Sequence, residues 1–461
     1  MSSLHIVERS TTLPQSPSAV YAWHGRPGAF ERLTPPWERV ELVERSGGLE
    51  QGARTMMRLR VGGRWVRWVA VHREHEAGRR FVDEQVEGPF AQWRHTHEFA
   101  SEGGGTRVTD HIEYAPPFGL AGAAADRWVV RPRIERLLAY RHALLADDLA
   151  AHARFGQHAR LRVAITGATG LIGRALSTFL SSGGHEVIHL VRGIPQPGEL
   201  KWDPLAGELD AKALEGIDAV VHLAGENVAS GRWTAARKRR IVESRTVTTR
   251  FLSEALARLN QRPSVLVSAS AVGIYGPRGD EVLTETSALG SDTDFFVELA
   301  REWEAAAEPA RQAGIRVAHP RFGVVLSPRG GALAKLLPPF RAGVGGQLGN
   351  GRMWMSWVSV DDAVGAIYHA LFSSSIAGAY NVTAPDPVTS REFVRTLGRV
   401  LGRPVAVPVP AAALRLAFGE MADATILSSI RVLPKVLQGE QYGFRHTRLE
   451  PALRYLLGRT A

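Results

Sequence analysis

The sequence has no cysteine. That absence excludes disulfides, thiolate catalysis and cysteine-ligated zinc or iron–sulfur sites, and it gives no sign of a secreted, bridged framework. Lysine is almost as scarce: Lys201, Lys212, Lys238, Lys335 and Lys435 are the only five, so 51 of the 56 basic residues are arginine. No apolar run approaches the roughly 18 residues of a membrane-spanning helix. Met1–Ser10 lacks a basic stretch followed by an apolar one, so no secretory leader is expected. Charged residues make up 22% and hydrophobic residues 44% of the 461, which excludes a disordered chain and supplies ample core. A cytoplasmic protein is the expectation.

The net charge of +10 rests on arginine. Its one dense run, Arg237-Lys238-Arg239-Arg240, lies in helical-looking sequence without interleaved aromatics. It reads as a solvated helix face or the rim of an anion site. Neither nucleic acid nor a membrane is expected as a partner.

The chain reads as three domains. In residues 1–155 a strand-like opening and a helical Pro17–Trp23 precede alternating segments at Arg39–Arg45, Arg54–Val61, Arg64–Glu74, Arg79–Val86, Gln92–Ala100 and Thr106–Tyr114. Glycine pairs and triplets separate some of them as hairpin turns would. A helical pattern from about Ala121 to His152, interrupted near Pro132, closes the domain. Strands followed by one long amphipathic helix predict an α+β layer, a curved sheet wrapped on a helix. In residues 161–385 strands at Leu161–Thr166, Glu186–Val191, Ala219–Leu223, Ser264–Ser268 and Arg316–Pro320 alternate with helices at Ala235–Leu259 and Asp294–Gln312. That alternation predicts an α/β Rossmann fold, a doubly wound parallel sheet. Residues 386–461 read as a small, mainly helical C-terminal domain on the substrate side, with Pro404–Pro410 as a connector.

The most informative motif follows the first strand of the second domain. Gly167-Ala168-Thr169-Gly170-Leu171-Ile172-Gly173 places a glycine loop between a strand and a helix. Gly167 permits the tight turn, Gly170 lets backbone approach a pyrophosphate, and Gly173 lets helix pack closely on strand. The helix N-terminus then offers free amides to the phosphates. The second strand ends at Val191-Arg192. NAD sites usually carry a carboxylate there for the ribose hydroxyls, whereas a guanidinium suits the 2′-phosphate of NADP. NADP is therefore the expected cofactor, the alternative being a plain surface arginine at 192.

The glycine loop, Asp218-Ala-Val-Val-His-Leu-Ala-Gly225 and Ser268-Ala-Ser270-Ala-Val-Gly-Ile-Tyr275-Gly276 together resemble extended short-chain dehydrogenases. Gly225-Glu-Asn-Val, Arg232-Trp-Thr, Trp303-Glu304, Arg321-Phe-Gly-Val-Val-Leu326 and Gly345-Gly-Gln-Leu-Gly-Asn-Gly, with the tail motif Arg431-Val-Leu-Pro-Lys-Val-Leu, resemble one atypical branch, the YfcH-like epimerase family. The resemblance covers about residues 161–457. Residues 1–155 resemble a START/polyketide-cyclase helix-grip domain through Leu33-Thr-Pro-Pro, Phe81–His97 and Gly105–Asp110. This implies an apolar ligand between sheet and helix, and the short-chain dehydrogenase likeness implies a homodimer. It also implies that Leu223, Ala224 and Gly225 border the nicotinamide-side ribose. Ser268 and Ser270 lie at the next strand end, with Ser270 matching the catalytic serine or threonine. Arg245 stands where such enzymes carry an asparagine, and meets cofactor phosphate or an anionic substrate, or forms a helix-surface salt bridge.

Two departures weigh against ordinary chemistry. Such enzymes use a tyrosine as acid/base with a lysine four residues later, yet no tyrosine here has a lysine at that spacing. Aligned on Glu304, the two positions hold Phe296 and Ala300. The Arg-Asp pair of nucleotide-sugar enzymes aligns with Met355 and Ser356, and methionine cannot clamp a diphosphate.

Other constellations are blander. His95 and His97 share one strand face, as a two-histidine metal site would require, but read first as polar positions on a sheet, and His72-x-x-His75-Glu76 likewise. No metal is expected. Trp65, Trp68 and Trp93 read as core or cavity lining, Trp354 and Trp357 as walls of a substrate cleft, and Asp361-Asp362 as a helix N-cap.

The expectation is an NADP(H)-dependent oxidoreductase or epimerase-like enzyme on a small, partly apolar substrate. Ser270 would orient the reacting oxygen, and Tyr275 is the fallback proton carrier. The alternative is a non-catalytic NADP(H) sensor, favoured by the missing tyrosine and lysine.

Overall fold

The computed structural model describes residues 4–116, 122 and 125–459. Residues 121, 123 and 124 of the expected long helix, and 1–3 and 460–461 at the ends, lie outside the described residues. The chain divides into two compact units: Met1–His158 with Ser181–Gly184 and Tyr455–Ala461, and Ala159–Leu180 with His185–Arg454.

In the first unit β1 (His5–Leu13), β2 (Val40–Ser46), β3 (Arg54–Val61), β4 (Arg64–Glu76), β5 (Arg80–Glu87), β6 (Gln92–Glu102) and β7 (Gly105–Ala115) form one antiparallel sheet in the order β1-β7-β6-β5-β4-β3-β2. Gly62-Gly63 joins β3 to β4 and Gly103-Gly104 joins β6 to β7, each glycine at positive φ, as two-residue hairpins demand. Helices α1 (Pro17–Gly25) and α2 (Ala29–Leu33) follow β1, and Ser16 caps α1 by accepting from the Ala19 amide. Helix α3 (Arg131–Arg154) buries Ile134, Leu138, His142, Leu145 and Leu149 at helical spacing. Pro132 does not interrupt this helix. It sits in its first turn, where a missing N–H costs nothing, behind a wide turn at Asp126–Val130.

The second unit is built on β8 (Arg162–Thr166), β9 (Glu186–Val191), β10 (Glu199–Asp203), β11 (Glu208–Leu209), β12 (Ala219–His222), β13 (Val265–Ser268), β14 (Ser270–Ala271), β15 (Arg316–Phe322) and β16 (Gly378–Val382). The sheet runs β11-β10-β9-β8-β12-β13-β15, with β14 and β16 also pairing β15, and only the β10–β11 hairpin is antiparallel. The central strands are buried on both faces, so they read as continuous apolar runs. Strand order reverses between β8 and β12, which opens a crevice at their carboxyl ends. Around the sheet lie α4 (Leu171–Gly183), α5 (Ala235–Ala257), α6 (Phe295–Ala305), α7 (Glu308–Gln312), α8 (Gly331–Arg341), α9 (Val360–Phe372), α10 (Ser390–Leu401) and α11 (Ala411–Phe418).

Three expectations are refined. The helix expected over Asp294–Gln312 is two, because Pro309 opens a fresh helical start. The N-cap of α9 is Ser359, while Asp361 and Asp362 lie in the first turn. The C-terminal segment is stitched to the Rossmann core by two short strand pairs, Trp354–Met355 with Val388–Thr389 and Val282–Leu283 with Arg431–Val432.

Candidate functional site

The glycine loop turns at the carboxyl end of β8. Gly167 has φ +67°, and a β-carbon there would meet the Leu223 carbonyl carbon at 2.7 Å. Gly173 lies inside the first turn of α4, where a β-carbon would stand 2.3 Å from the Gly167 oxygen. These two glycines therefore serve the fold. Gly170 is exposed beside exposed Thr169, and a β-carbon there would meet only the Gly167 oxygen, at 3.1 Å. Ala168 is buried, while Leu171 and Ile172 are half-buried.

Thr166 ties the two lips of the crevice together. Its Oγ1 accepts from the Leu223 amide at 3.1 Å and the Ala224 amide at 3.2 Å, and pairs with His222 Nδ1 at 2.7 Å. Two amides occupy its lone pairs, so the hydroxyl donates to Nδ1 and the His222 proton sits on Nε2. Burial pushes the His222 imidazole down to about 3.

Two cations face this crevice without acidic partners. Arg192 is exposed past the end of β9 and, among the described residues, forms no ion pair. Its carbonyl accepts from Lys201 Nζ at 2.7 Å, and that lysine is itself paired with Glu208 at 3.4 Å. Sequence reasoning missed Lys201, although it falls on the next strand in register with Val191. Arg245 does not form the helix-surface salt bridge considered from sequence. Its Nη1 donates to the Ile241 carbonyl at 3.1 Å and its Nη2 to the Glu226 carbonyl at 3.0 Å, and the guanidinium lies over Trp303 and beneath Gly225. Burial lowers it to about 10 despite Glu226 nearby. Ser268 is fully buried at the end of β13, and its Oγ has no hydrogen-bond partner.

Ser270 belongs to a separate buried chain. Its Oγ donates to Glu304 Oε1 at 2.6 Å. Arg321 donates from Nε and Nη2 to the two Glu304 oxygens, both at 2.8 Å, and from Nη1 to the Tyr275 hydroxyl at 2.9 Å. Tyr275 is fully buried and donates to Asn381 Oδ1 at 2.8 Å. Burial would raise the Glu304 carboxyl, but Arg321 outweighs it and holds the group below its ordinary range. Burial raises the Tyr275 phenol against the pull of Arg321. With its oxygen tied at both ends, Tyr275 braces Arg321. Glu304, Arg321 and Asn381 were not singled out as site residues, because they come from α6, β15 and β16 and meet only in the fold.

Phe296 sits in the first turn of α6, with its β-carbon 3.3 Å from where a Gly273 β-carbon would stand, and Ala300 is buried one turn on. Neither side chain carries a proton to transfer. Phe295, Phe296 and Trp233 form an aromatic cluster with Lys238 above it. Ser356 is consumed structurally, donating to the Ile430 carbonyl and accepting from the Val432 amide, each at 2.8 Å. Trp354 lies under Arg431, but Trp357 is fully buried and walls no cleft.

In the first unit Trp93 is core, meeting Trp68 edge to face and Phe90 at a tilt, whereas Trp65 is 44% exposed. His95 and His97 face inward and are buried. His75 pairs with the Tyr21 hydroxyl near the surface.

The crevice fits a dinucleotide on its own observations. The two structural glycines leave a bare turn, two cations lack acids, and a buried hydroxyl at the adjoining strand end lacks a partner. The comparisons agree. Residues 163–383 match the NAD dependent epimerase/dehydratase family, 409–456 a domain of unknown function (DUF1731), and 5–142 the polyketide cyclase/dehydrase and lipid transport family. An epimerase family protein of Mycobacterium bovis is 42% identical over 294 residues, 64% of this chain and 96% of that protein. The human epimerase family protein SDR39U1 is 38% identical over 292 residues, 62% of this chain and 96% of that protein. Its crystal structure with NADPH superposes with a TM-score of 0.60 at 35% identity, covering 64% of this chain and 99% of that one. A structure described as a nucleoside-diphosphate sugar epimerase, from Corynebacterium glutamicum, covers 98% of this chain and 90% of its own, with a TM-score of 0.81 at 37% identity. Among the described residues no helix is long and apolar enough to cross a membrane.

Proposed function

The chain belongs to the epimerase family, and on that premise we propose that it is an NADP(H)-dependent oxidoreductase or epimerase-like enzyme acting on a small, partly apolar substrate. The observation that carries the cofactor choice is the unpaired Arg192 at the end of β9, a guanidinium where a 2′-phosphate would lie, with Lys201, itself paired with Glu208, beside it. The human relative crystallised with NADPH supports the same choice. Gly170 and the first turn of α4 would receive the pyrophosphate, with Leu223, Ala224, Gly225 and Ser268 along the nicotinamide side. Bound NADP(H) supplies or accepts hydride.

Ser270 gives its only proton to Glu304, so its remaining lone pairs are acceptors. That polarity suits a substrate hydroxyl, which would donate to Ser270. Glu304, held anionic by Arg321, fixes the serine in this sense. Tyr275 acts through Arg321 as a positioning residue, and proton transfer passes to water or the substrate. The Met355 and buried Ser356 pair weighs against a diphosphate clamp, so a nucleotide sugar is not the substrate proposed. Residues 386–461 would supply the substrate side, and residues 1–155 would bind or present the substrate.

One observation favours a second reading. Phe296 and Ala300 remove the usual proton-transfer pair, as a non-catalytic NADP(H) sensor would allow. Calorimetric titration with NADPH, NADP and NADH, on the unaltered chain and Arg192→Ala, tests the cofactor reading. Selective NADPH binding, weakened about tenfold or more by the substitution (about 1.4 kcal/mol), is expected. No dinucleotide binding at millimolar concentration would overturn both readings. NADPH oxidation with any member of a carbonyl panel decides for the enzyme, and binding without turnover decides for the sensor.

A further inference from the structure

A layer of ionisable side chains crosses the interior of the first unit. On β6 the inward positions run Trp93, His95, His97, Phe99, so two histidines replace apolar residues in the middle of a buried face. On β7 the same register places Asp110 between Val108 and Ile112, and Asp83 lies two residues beyond Phe81 on β5. Helix α3 repeats the break, with His142 between Leu138 and Leu145. Pairing brings these to one level: Asp83 lies opposite His95, and His97 opposite Asp110. One apolar cluster, with Trp23, Phe81, Phe99 and Leu145, closes one side, and another, with Trp93, Tyr114 and Leu138, closes the other.

The atoms converge. His95 Nδ1 is 3.7 Å and His97 Nε2 3.4 Å from Asp83 Oδ1, and the three ligand atoms all lie within 4.8 Å of one another. The ligand atoms of a tetrahedral site with metal bonds of about 2.0–2.1 Å stand roughly 3.3 Å apart, so the three would close by at most about 1.5 Å to hold an ion. The far side of each ring meets a second carboxylate. His95 Nε2 pairs with Asp110 Oδ1 at 2.8 Å, and His97 Nδ1 approaches the same oxygen to 2.6 Å without hydrogen-bond alignment. Asp110 is anchored in turn by His142 Nε2 at 2.8 Å, and His142 Nδ1 by Thr11 at 2.8 Å.

A ring whose far nitrogen gives its proton to Asp110 turns a lone pair toward Asp83. For His95, whose Nε2 makes that bond, the Nδ1 lone pair and the anionic Asp83 oxygen repel unless a cation lies between them. Burial opposes a charge on His97, but Asp110 and Asp83 outweigh it and hold that ring up to about 9, so without a metal a second proton balances the carboxylates beside the half-buried Arg141, and a metal ion would take that proton's place. A metal held by imidazoles whose other nitrogens bond a carboxylate is the recurring outer-shell arrangement of such sites.

We propose that the first unit binds one divalent first-row transition-metal ion through Asp83, His95 and His97, with Asp110 orienting both imidazoles from behind. Two nitrogens and one carboxylate oxygen select zinc, iron or manganese over calcium and magnesium, which take oxygen ligands. Three protein ligands leave a coordination position for water or an oxygen-bearing ligand. Asp83 is the most exposed of the three, its side chain 19% accessible, so the open position lies on its side.

The test uses the tag-free full chain, stripped with a chelator and titrated with zinc by calorimetry, then loaded with cobalt for its visible spectrum. One equivalent at micromolar or tighter affinity is expected. His97→Gln and Asp83→Asn each weaken binding about a hundredfold or more, and His142→Gln about tenfold, as outer-shell changes do. Far-UV circular dichroism checks that each variant is folded. No binding to the unaltered chain at millimolar zinc would overturn the proposal and leave a proton-bridged cluster. So would binding unchanged in both ligand variants. Because stoichiometry is read on the unaltered chain, a variant that fails to fold leaves the test intact.

Discussion

Arg321 grips Glu304 with two parallel hydrogen bonds of 2.8 Å in the interior of the second unit, the side chains only 7% and 16% exposed. This bidentate geometry is the strong form of a charged pair. Ser270 hangs from one of the carboxylate oxygens and Tyr275 from the guanidinium, so the pair sets the position of both.

Breaking the pair from one side leaves an uncompensated buried charge. Glu304→Gln or Arg321→Met alone should destabilise the chain by about 3 kcal/mol or more, whereas the double substitution should cost clearly less than the sum. Urea unfolding of the four proteins closes this cycle, and additive losses would mean the pair is not coupled. Arg321 holds the folded Glu304 carboxyl below its unfolded value of 4.5. Its contribution is therefore full above that pH and is lost as pH falls through the folded value.

The orphaned hydroxyl of Ser268 separates folding from cofactor binding. A buried polar atom without a partner costs roughly 1–3 kcal/mol. Ser268→Ala should thus leave the cofactor-free chain as stable or slightly more so. If that hydroxyl serves the dinucleotide, the same change should weaken NADPH binding by several-fold. Thermal melting without cofactor and calorimetry with it supply the two readings. A large loss of melting temperature would show instead a structural role.

Much of this architecture was legible because it is written locally. The glycine loop, the buried strand before it and the helix after it lie in one stretch, so Gly167, Gly170 and Gly173 named their own context. Hairpin glycines and alternating runs gave the strands of the first unit to within about two residues, since a two-residue turn fixes where strands end. What could not be read was assembled from afar. Glu304 and Arg321 sit on different elements, and Lys201 reaches Arg192 only because β10 pairs beside β9. The buried layer of the first unit did leave a trace: His95 and His97 stand between Trp93 and Phe99, and His142 breaks the apolar stripe of α3. Ionisable residues at core positions of neighbouring elements are a stronger signal than the pairing of two histidines alone.

His222 gives the second unit a pH dependence of definite sign. Unfolded, its imidazole takes a proton at about 6.5; folded, burial postpones that to about 3. Between these values the unfolded chain binds one more proton, so stability falls as pH falls, by up to about 1.4 kcal/mol per unit from this group. His222→Gln should flatten the slope by that amount between pH 4 and 6, on the order of a single proton. Denaturant unfolding at several pH values measures it on both proteins, and parallel slopes would assign the dependence to other groups.

The glycine loop offers the sharpest division between fold and function. At Gly167 a β-carbon would meet backbone at 2.7 Å, and its φ of +67° strains any side chain. Gly167→Ala should therefore destabilise the unit by about 1–2 kcal/mol from conformation alone, with the clash adding to it. At Gly170 the φ lies outside the left-handed region, and a β-carbon would approach only the Gly167 oxygen, at 3.1 Å. Alanine at this exposed position needs only a shift of a few tenths of an ångström from that oxygen and should cost clearly less than Gly167→Ala, on the order of 1 kcal/mol or less. Yet the added methyl would project where the pyrophosphate must approach the backbone, so Gly170→Ala should lose NADPH affinity about tenfold or more while melting much closer to the parent than Gly167→Ala does. A stable Gly170→Ala protein that still bound NADPH at full strength would remove this loop from the cofactor site, whatever the likeness of its sequence.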